Sequence, residues 1–232
     1  PWTMTGSDAS AGHPRSFGSF ARKYAVYVKE RQVLSLREFI DRSTAITADF
    51  FGFRDRGRLT VGSFADIAVF DGTGKFVTPG IIDIHSHLGN YPTPSVEAHS
   101  DGNEATSPTT PEVWAEHSVW PQDPGFARAL ANGGITSLQI LPGSANLMGG
   151  RSVTLKNVPA RTTQGMKFPG APYGFKMACG ENPKRVYGGR GRMPSTRMGN
   201  LAVNRDTWLA AIDYANDPKA KRDLGKETLV GV

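Results

Sequence analysis

The sequence predicts an α/β fold whose core is part of a (β/α)8 barrel, and three observations carry that prediction. Short runs of β-branched and apolar residues alternate with helical stretches or long loops, the pattern of parallel strands joined by crossovers. These runs end in polar residues that lead into loops, and barrel chemistry sits at such strand ends. Roughly five such runs are present, where a closed barrel needs eight.

The elements follow in order. Ala21 to Arg31 suits a helix. Ser35-Leu36-Arg37-Glu38 is a capping box, so a helix is expected from Leu36 to about Ser43, with a short one over Ala48 to Phe51 that Gly52 stops. Ala65 to Phe70 reads as a strand between Gly62 and the turn Asp71-Gly72, and Phe76-Val77 as another. After the Pro79-Gly80 break, Ile81-Ile82-Asp83-Ile84-His85 has the composition of a buried parallel strand. Gly89 to Asp123 is too long and too rich in Pro, Ser and Thr for an ordinary connection, and is expected to be a functional loop. Pro124 to Asn132 is a helix leading through Gly133-Gly134 into a strand over Ile135 to Leu141. Gly174 to Ala178 is a short strand, Tyr187 to Asn200 a Gly/Arg-rich loop, and Asp206 to Asn216 a helix.

Composition narrows the function classes. With 232 residues, 38% hydrophobic and 21% charged, the chain can bury a sizeable core. The net charge of +6 comes from scattered residues, with no basic run or aromatic-basic repeat, so no nucleic acid and no membrane partner is expected. Cys179 is the single cysteine and reads as a small buried residue. Any metal must therefore be held by His, Asp, Glu or a modified Lys. The chain starts at Pro1 and stops at Val232 without a terminal signal, so both ends read as cut, and the compartment is open between cytoplasm and periplasm.

The strongest chemical signal is Pro79-Gly80-Ile81-Ile82-Asp83-Ile84-His85-Ser86-His87. Residues two apart on a strand point the same way, so His85 and His87 project together from a strand end. Two imidazoles so placed suit a zinc-type ion, with Asp83 one step deeper on the same face to orient a ligand. The bland alternative is a pair of surface histidines. His99 and His117 lie in the long loop and read as surface residues.

Together with Val77, this run resembles the first barrel strand of the amidohydrolase superfamily, the metal-dependent hydrolases of amide-type C–N bonds. The resemblance implies that His85 and His87 bind a divalent metal, zinc first, as one or two ions. From about Lys75 onward the chain is similar to the N-terminal part of imidazolonepropionase-like amidohydrolases, through Gly133-Gly134-Ile135-Thr136, Leu141 to Leu147, and Gly180 to Arg185. That family's strand lysine carries CO2 as a carbamate bridging two metals, a role that falls on Lys176. Read from its residues alone, Lys176 is equally a surface lysine, and Glu181 is the alternative ligand.

The first segment resembles a different branch, the C-terminal end of D-aminoacylases. Gly6-Ser7-Asp8, His13-Pro14-Arg15, Leu34-Ser35-Leu36, Arg54-Asp55-Arg56-Gly57 and Ala65 to Asp71 carry the likeness. It implies a catalytic, proton-shuttling Asp8, with a turn aspartate as the plainer reading. Arg15 would bind a substrate carboxylate through a two-pronged pair or stand as a surface arginine. Arg54 to Asp71 resembles the small β-sandwich that flanks such barrels.

Two segments follow: 1–71, a barrel end with sandwich strands, and 72–232, the front of a barrel. In the family the histidine pair comes early and the aspartate late, so the order here is that of a fusion or fragment. The implied function is metal-dependent hydrolysis of a C–N bond in a small molecule, with N-acyl-amino acids as one class. The alternative is an incomplete, inactive chain that binds metal or a partner chain, and a homo-oligomer is left open.

Overall fold

The computed structural model describes residues 3–71 and 75–232. The expected turn at Asp71-Gly72 and the junction of the two sequence segments fall at residue 72, outside the described residues. In chain order, α1 (Arg15–Lys23) runs on into a π-helical stretch (Tyr24–Glu30), followed by α2 (Leu36–Ser43) and α3 (Ala45–Phe50). Then come β1 (Ile67–Asp71), β2 (Lys75–Pro79), β3 (Ile81–Ser86), α4 (Pro124–Gly133), β4 (Ile135–Ile140), β5 (Met148–Arg151) and β6 (Val153–Lys156). The rest comprises α5 (Thr163–Met166), β7 (Phe175–Met177), α6 (Glu181–Gly188), α7 (Arg197–Asn216) and α8 (Leu224–Val230). Among the described residues no helix is long and apolar enough to cross a membrane.

The chain divides into two compact units. The first takes the described residues of 1–100, 116–140 and 153–172. Its sheet has the order β3-β4-β6, and β3 pairs parallel with β4 across the α4 crossover. β6 runs antiparallel to β4, which departs from the all-parallel expectation. Residues 141–152 between them hold a strand and no helix, whereas a parallel return usually runs through a helical crossover. On its other side β3 is met by residues 7–9: Ala9 bridges Ser86 in parallel, the Asp8 amide donates to the His85 carbonyl at 2.6 Å, and the His87 amide to the Ala9 carbonyl at 2.7 Å. One face of β3 thus carries Asp83 and His85, while Ile82 on the other packs with Ala48, Phe53 and Phe168.

Local sequence explains the flanking elements. The Ser35 hydroxyl accepts the Glu38 amide at 3.1 Å and Glu38 accepts the Ser35 amide at 2.8 Å, so α2 starts where the capping box places it. Asp123 caps α4 by accepting the Gly125 amide at 2.9 Å. β1 and β2 form an antiparallel hairpin, and Arg56 of the Arg-Asp-Arg-Gly run is ion-paired with Asp66 between the rings of Phe64 and Phe168.

The second unit takes 101–115, 141–152 and 173–232. β5 and β7 pair antiparallel, and Met148, Ala211 and Leu229 form its core. Asn146 is buried as a hub: its amide donates to the carbonyls of Glu104 at 2.6 Å and Ser107 at 2.9 Å. The expected Gly/Arg-rich loop is present over 189–196, shorter at both ends because α6 runs on to Gly188 and α7 begins at Arg197, capped by Thr196, which accepts the Gly199 amide at 3.0 Å. The first helix likewise begins earlier than expected, at Arg15.

Candidate metal centre

Asp8, His85 and His87 meet at the end of β3. His85 and His87 are there by strand alternation; Asp8 arrives on the segment paired to the β3 edge. Asp8 Oδ1 lies 2.9 Å from His87 Nε2 and 3.4 Å from His85 Nε2, and one ligand atom of each residue lies within 4.8 Å of the others. A tetrahedral zinc with bonds near 2.0–2.1 Å has donor–donor edges of about 3.3 Å. Two imidazole nitrogens and one carboxylate oxygen at this spacing fit a divalent ion. This is the one such cluster of His, Cys, Asp or Glu among the described residues. The His87 side chain is 8% exposed and that of His85 36%, so one ring is packed and the other faces open space. The His87 ring stands edge-on to His85 and to Tyr91, with centroids 5.1 Å and 5.9 Å away.

Each residue of Gly6-Ser7-Asp8 has a separate reason to be there. A Cβ on Gly6 would meet the His85 Cβ at 2.5 Å, so only glycine lets the segment pass the strand end. The Ser7 amide donates to Asp83 Oδ1 at 2.8 Å and its hydroxyl donates to Asp83 Oδ2. Asp8 adopts a left-handed φ of 51°, which aspartate tolerates better than most residues, and that turn presents its carboxylate to the histidines.

Asp83 lies one step deeper on the same face of β3. Its carboxylate accepts Ser7 and, at 3.2 Å, the His85 amide, so it anchors the segment that delivers Asp8. Burial pushes its carboxyl up to about 6; the hydrogen bonds from Ser7 and the His85 amide pull it down, and the Asp8 charge adds to the rise. Ser7 and Asp123 position the segments on either side of the histidines, and the sequence analysis assigned neither a role. Asp123 accepts the Gly89 amide at 2.9 Å and so fixes the turn just after His87. Its capping position before Pro124 was the available signal.

Arg15 opens α1. Its Nη1 is 2.9 Å from Asp8 Oδ2, its Nη2 donates to Ser10 Oγ at 3.1 Å, and its Nε is buried without a partner. The remaining candidates take the following places within their own units. Lys176 is buried on β7 of the second unit, and Glu181 is exposed in the first turn of α6, paired with Arg185 at 3.2 Å. His99 packs against Trp120 with the rings tilted and their centroids 4.1 Å apart, and His117 is exposed beside Glu116. Cys179 is exposed rather than buried, because it lies in the loop between β7 and α6 and not on a strand's inner face.

A histidine pair at a strand end, with a carboxylate delivered from the neighbouring segment, is a donor set that could hold a metal ion. No protein-family model matches the chain. It is 38% identical over 143 residues to the amidohydrolase TasK of Hapsidospora irregularis, covering 58% of this chain and 14% of that protein. It is 46% identical over 72 residues to the N-acyl-D-glutamate deacylase of Alcaligenes xylosoxydans xylosoxydans, covering 29% of this chain and 15% of that one. A solved amidohydrolase from Thermotoga maritima MSB8 matches with a TM-score of 0.61 and 37% identity, over 74% of this chain and 47% of that one. The chain spans about one seventh of the curated relatives and about half of the solved one. The relatives it matches include an amidohydrolase, an N-acyl-D-glutamate deacylase and a D-aminoacylase.

Proposed function

We propose that Asp8, His85 and His87 hold a divalent ion, zinc first, and serve hydrolysis of an amide-type C–N bond in a small molecule. The observation that carries this reading is the approach of one Asp8 oxygen to both Nε2 atoms. We read the β3-β4 sheet, with residues 7–9 along its edge, as a sector of a (β/α)8 barrel. A bound ion would supply Lewis acidity and a more acidic water. His85 and His87 orient the site through strand geometry. Asp8 takes the proton of the attacking water and returns it to the leaving amine. Arg15 holds the outer oxygen of Asp8 and, partly exposed beside it, is the residue placed to meet a substrate carboxylate. Names among the relatives point to N-acyl-D-glutamate and N-acyl-D-aspartate as substrates to try first.

The test is elemental analysis of the purified chain, with hydrolysis of these N-acyl-amino acids after Zn2+ or Co2+ loading. Wild type is expected to bind metal, and the His85→Ala/His87→Ala variant to lose it. Unchanged stoichiometry in the double variant sinks the assignment.

A second reading is favoured by exposed apolar surface in each unit. The hairpin leaves Ile67, Val69 and Val77 exposed on one face, and α7 presents Met198, Leu201, Leu209 and Ile212 along one stripe. This suits a chain that is inactive alone and works with a partner chain. Sedimentation separates the readings: a monomer with metal-dependent turnover rejects the second, and a self-associated chain without turnover supports it.

A further inference from the structure

Arg151 closes β5 in the second unit. Its amide donates to the Val113 carbonyl at 2.8 Å, and the adjoining bridge sets Trp114 beside it. The guanidinium lies over the Trp114 ring, 4.9 Å from its centre, and the Tyr173 ring stands edge-on to Trp114 at 4.9 Å. Arg151, Tyr173, Gly174, Phe175, Gly231 and Val232 line a cavity of about 110 Å3.

The charge of Arg151 is not neutralised within the described residues. No carboxylate among them pairs with it, and its Nε is sealed from solvent with no hydrogen-bond partner. The ring face of Trp114 offsets part of the cost of withdrawing a cation from water but supplies no acceptor. A small anion in the cavity would supply the countercharge and accept from the terminal nitrogens of the guanidinium. The guanidinium is a planar fork that matches a carboxylate in two-pronged fashion, and flat aromatic walls suit a flat ligand. A cavity of about 110 Å3 admits only a few heavy atoms.

We propose that Arg151, backed by Trp114 and flanked by Tyr173, forms a binding site for a small carboxylate. The site belongs to the second unit alone and does not depend on the function proposed above.

The experiment titrates the full chain with sodium acetate against sodium chloride at constant ionic strength, following tryptophan fluorescence and melting temperature. The expected result is a saturable fluorescence change and a rise of a few degrees in melting temperature, with phosphate much less effective. Arg151→Lys, which keeps the charge and loses the fork, is expected to raise the half-saturating acetate concentration at least about tenfold. A response that does not saturate, that chloride or phosphate reproduces, or that Arg151→Lys leaves unchanged overturns the proposal. Should that variant fail to fold, saturation-transfer NMR on wild type decides: transfer to acetate supports the site, and none rejects it.

Discussion

Ser7 and Asp83 stand 76 positions apart, and the amide of Ser7 donates to Asp83 Oδ1 at 2.8 Å while its hydroxyl donates to Oδ2. This contact seats Asp8 against His87. Ser7→Ala removes the hydroxyl and leaves a buried carboxylate oxygen with one donor fewer. A loss of about 1–3 kcal/mol in urea unfolding is expected, together with weaker zinc retention. Asp83→Ala removes the acceptor of the Ser7 amide as well and should cost more. Wild-type stability and zinc retention in Ser7→Ala would refute the anchoring role.

Gly6 and Gly18 make a matched pair of substitutions. Gly6→Ala drives a methyl group to 2.5 Å from the His85 Cβ, and an overlap of this kind costs about 1–3 kcal/mol. It should also displace Asp8 and lower metal affinity. Gly18 lies inside α1, with nothing within 4 Å of an added Cβ. Gly18→Ala is expected to stabilise by about 0.4–1 kcal/mol by narrowing the unfolded ensemble. Thermal unfolding of the two variants should shift in opposite directions; a shift of the same sign refutes the packing argument.

Lys176 is buried on β7, where its register partner is Gly150. If it carries CO2 as a carbamate, growth or incubation in 13C-bicarbonate should give one carbamate carbon signal by NMR. Lys176→Met should abolish it. A spectrum without the signal, at saturating bicarbonate and with zinc present, removes Lys176 from the list of ligands.

Lys23 gives a pH prediction. Burial, and then repulsion from Arg42, lower its amine from the ordinary 10.5 to about 8, while its Nζ donates to Thr5 Oγ1 at 2.6 Å. Between these values the unfolded chain holds the proton and the folded chain has lost it. Stability from this group therefore rises as pH increases from about 8 to 10.5. The site is partly open to solvent, so the gain is on the order of 1 kcal/mol after screening. Denaturant unfolding at pH 7.5 and pH 10, wild type against Lys23→Met, should show that difference growing with pH. A constant difference contradicts it.

The sequence alone determined what depends on neighbours along the chain. The Ser35–Glu38 box placed the start of α2, because both partners lie within one helical turn. Strand alternation put His85 and His87 on one face, because successive strand residues point to opposite sides. Resemblance named Asp8, yet nothing local joins it to histidines a whole domain later. Only the tertiary structure brought them together, through ladder bonds from residues 7–9 to the β3 edge and the Ser7–Asp83 contact. Backbone pairing between distant segments leaves no periodic trace, so neither that closure nor the antiparallel course of β6 was legible. The burial of Lys176 and the exposure of Cys179 were decided the same way, by what packs against a strand and a loop rather than by residue type.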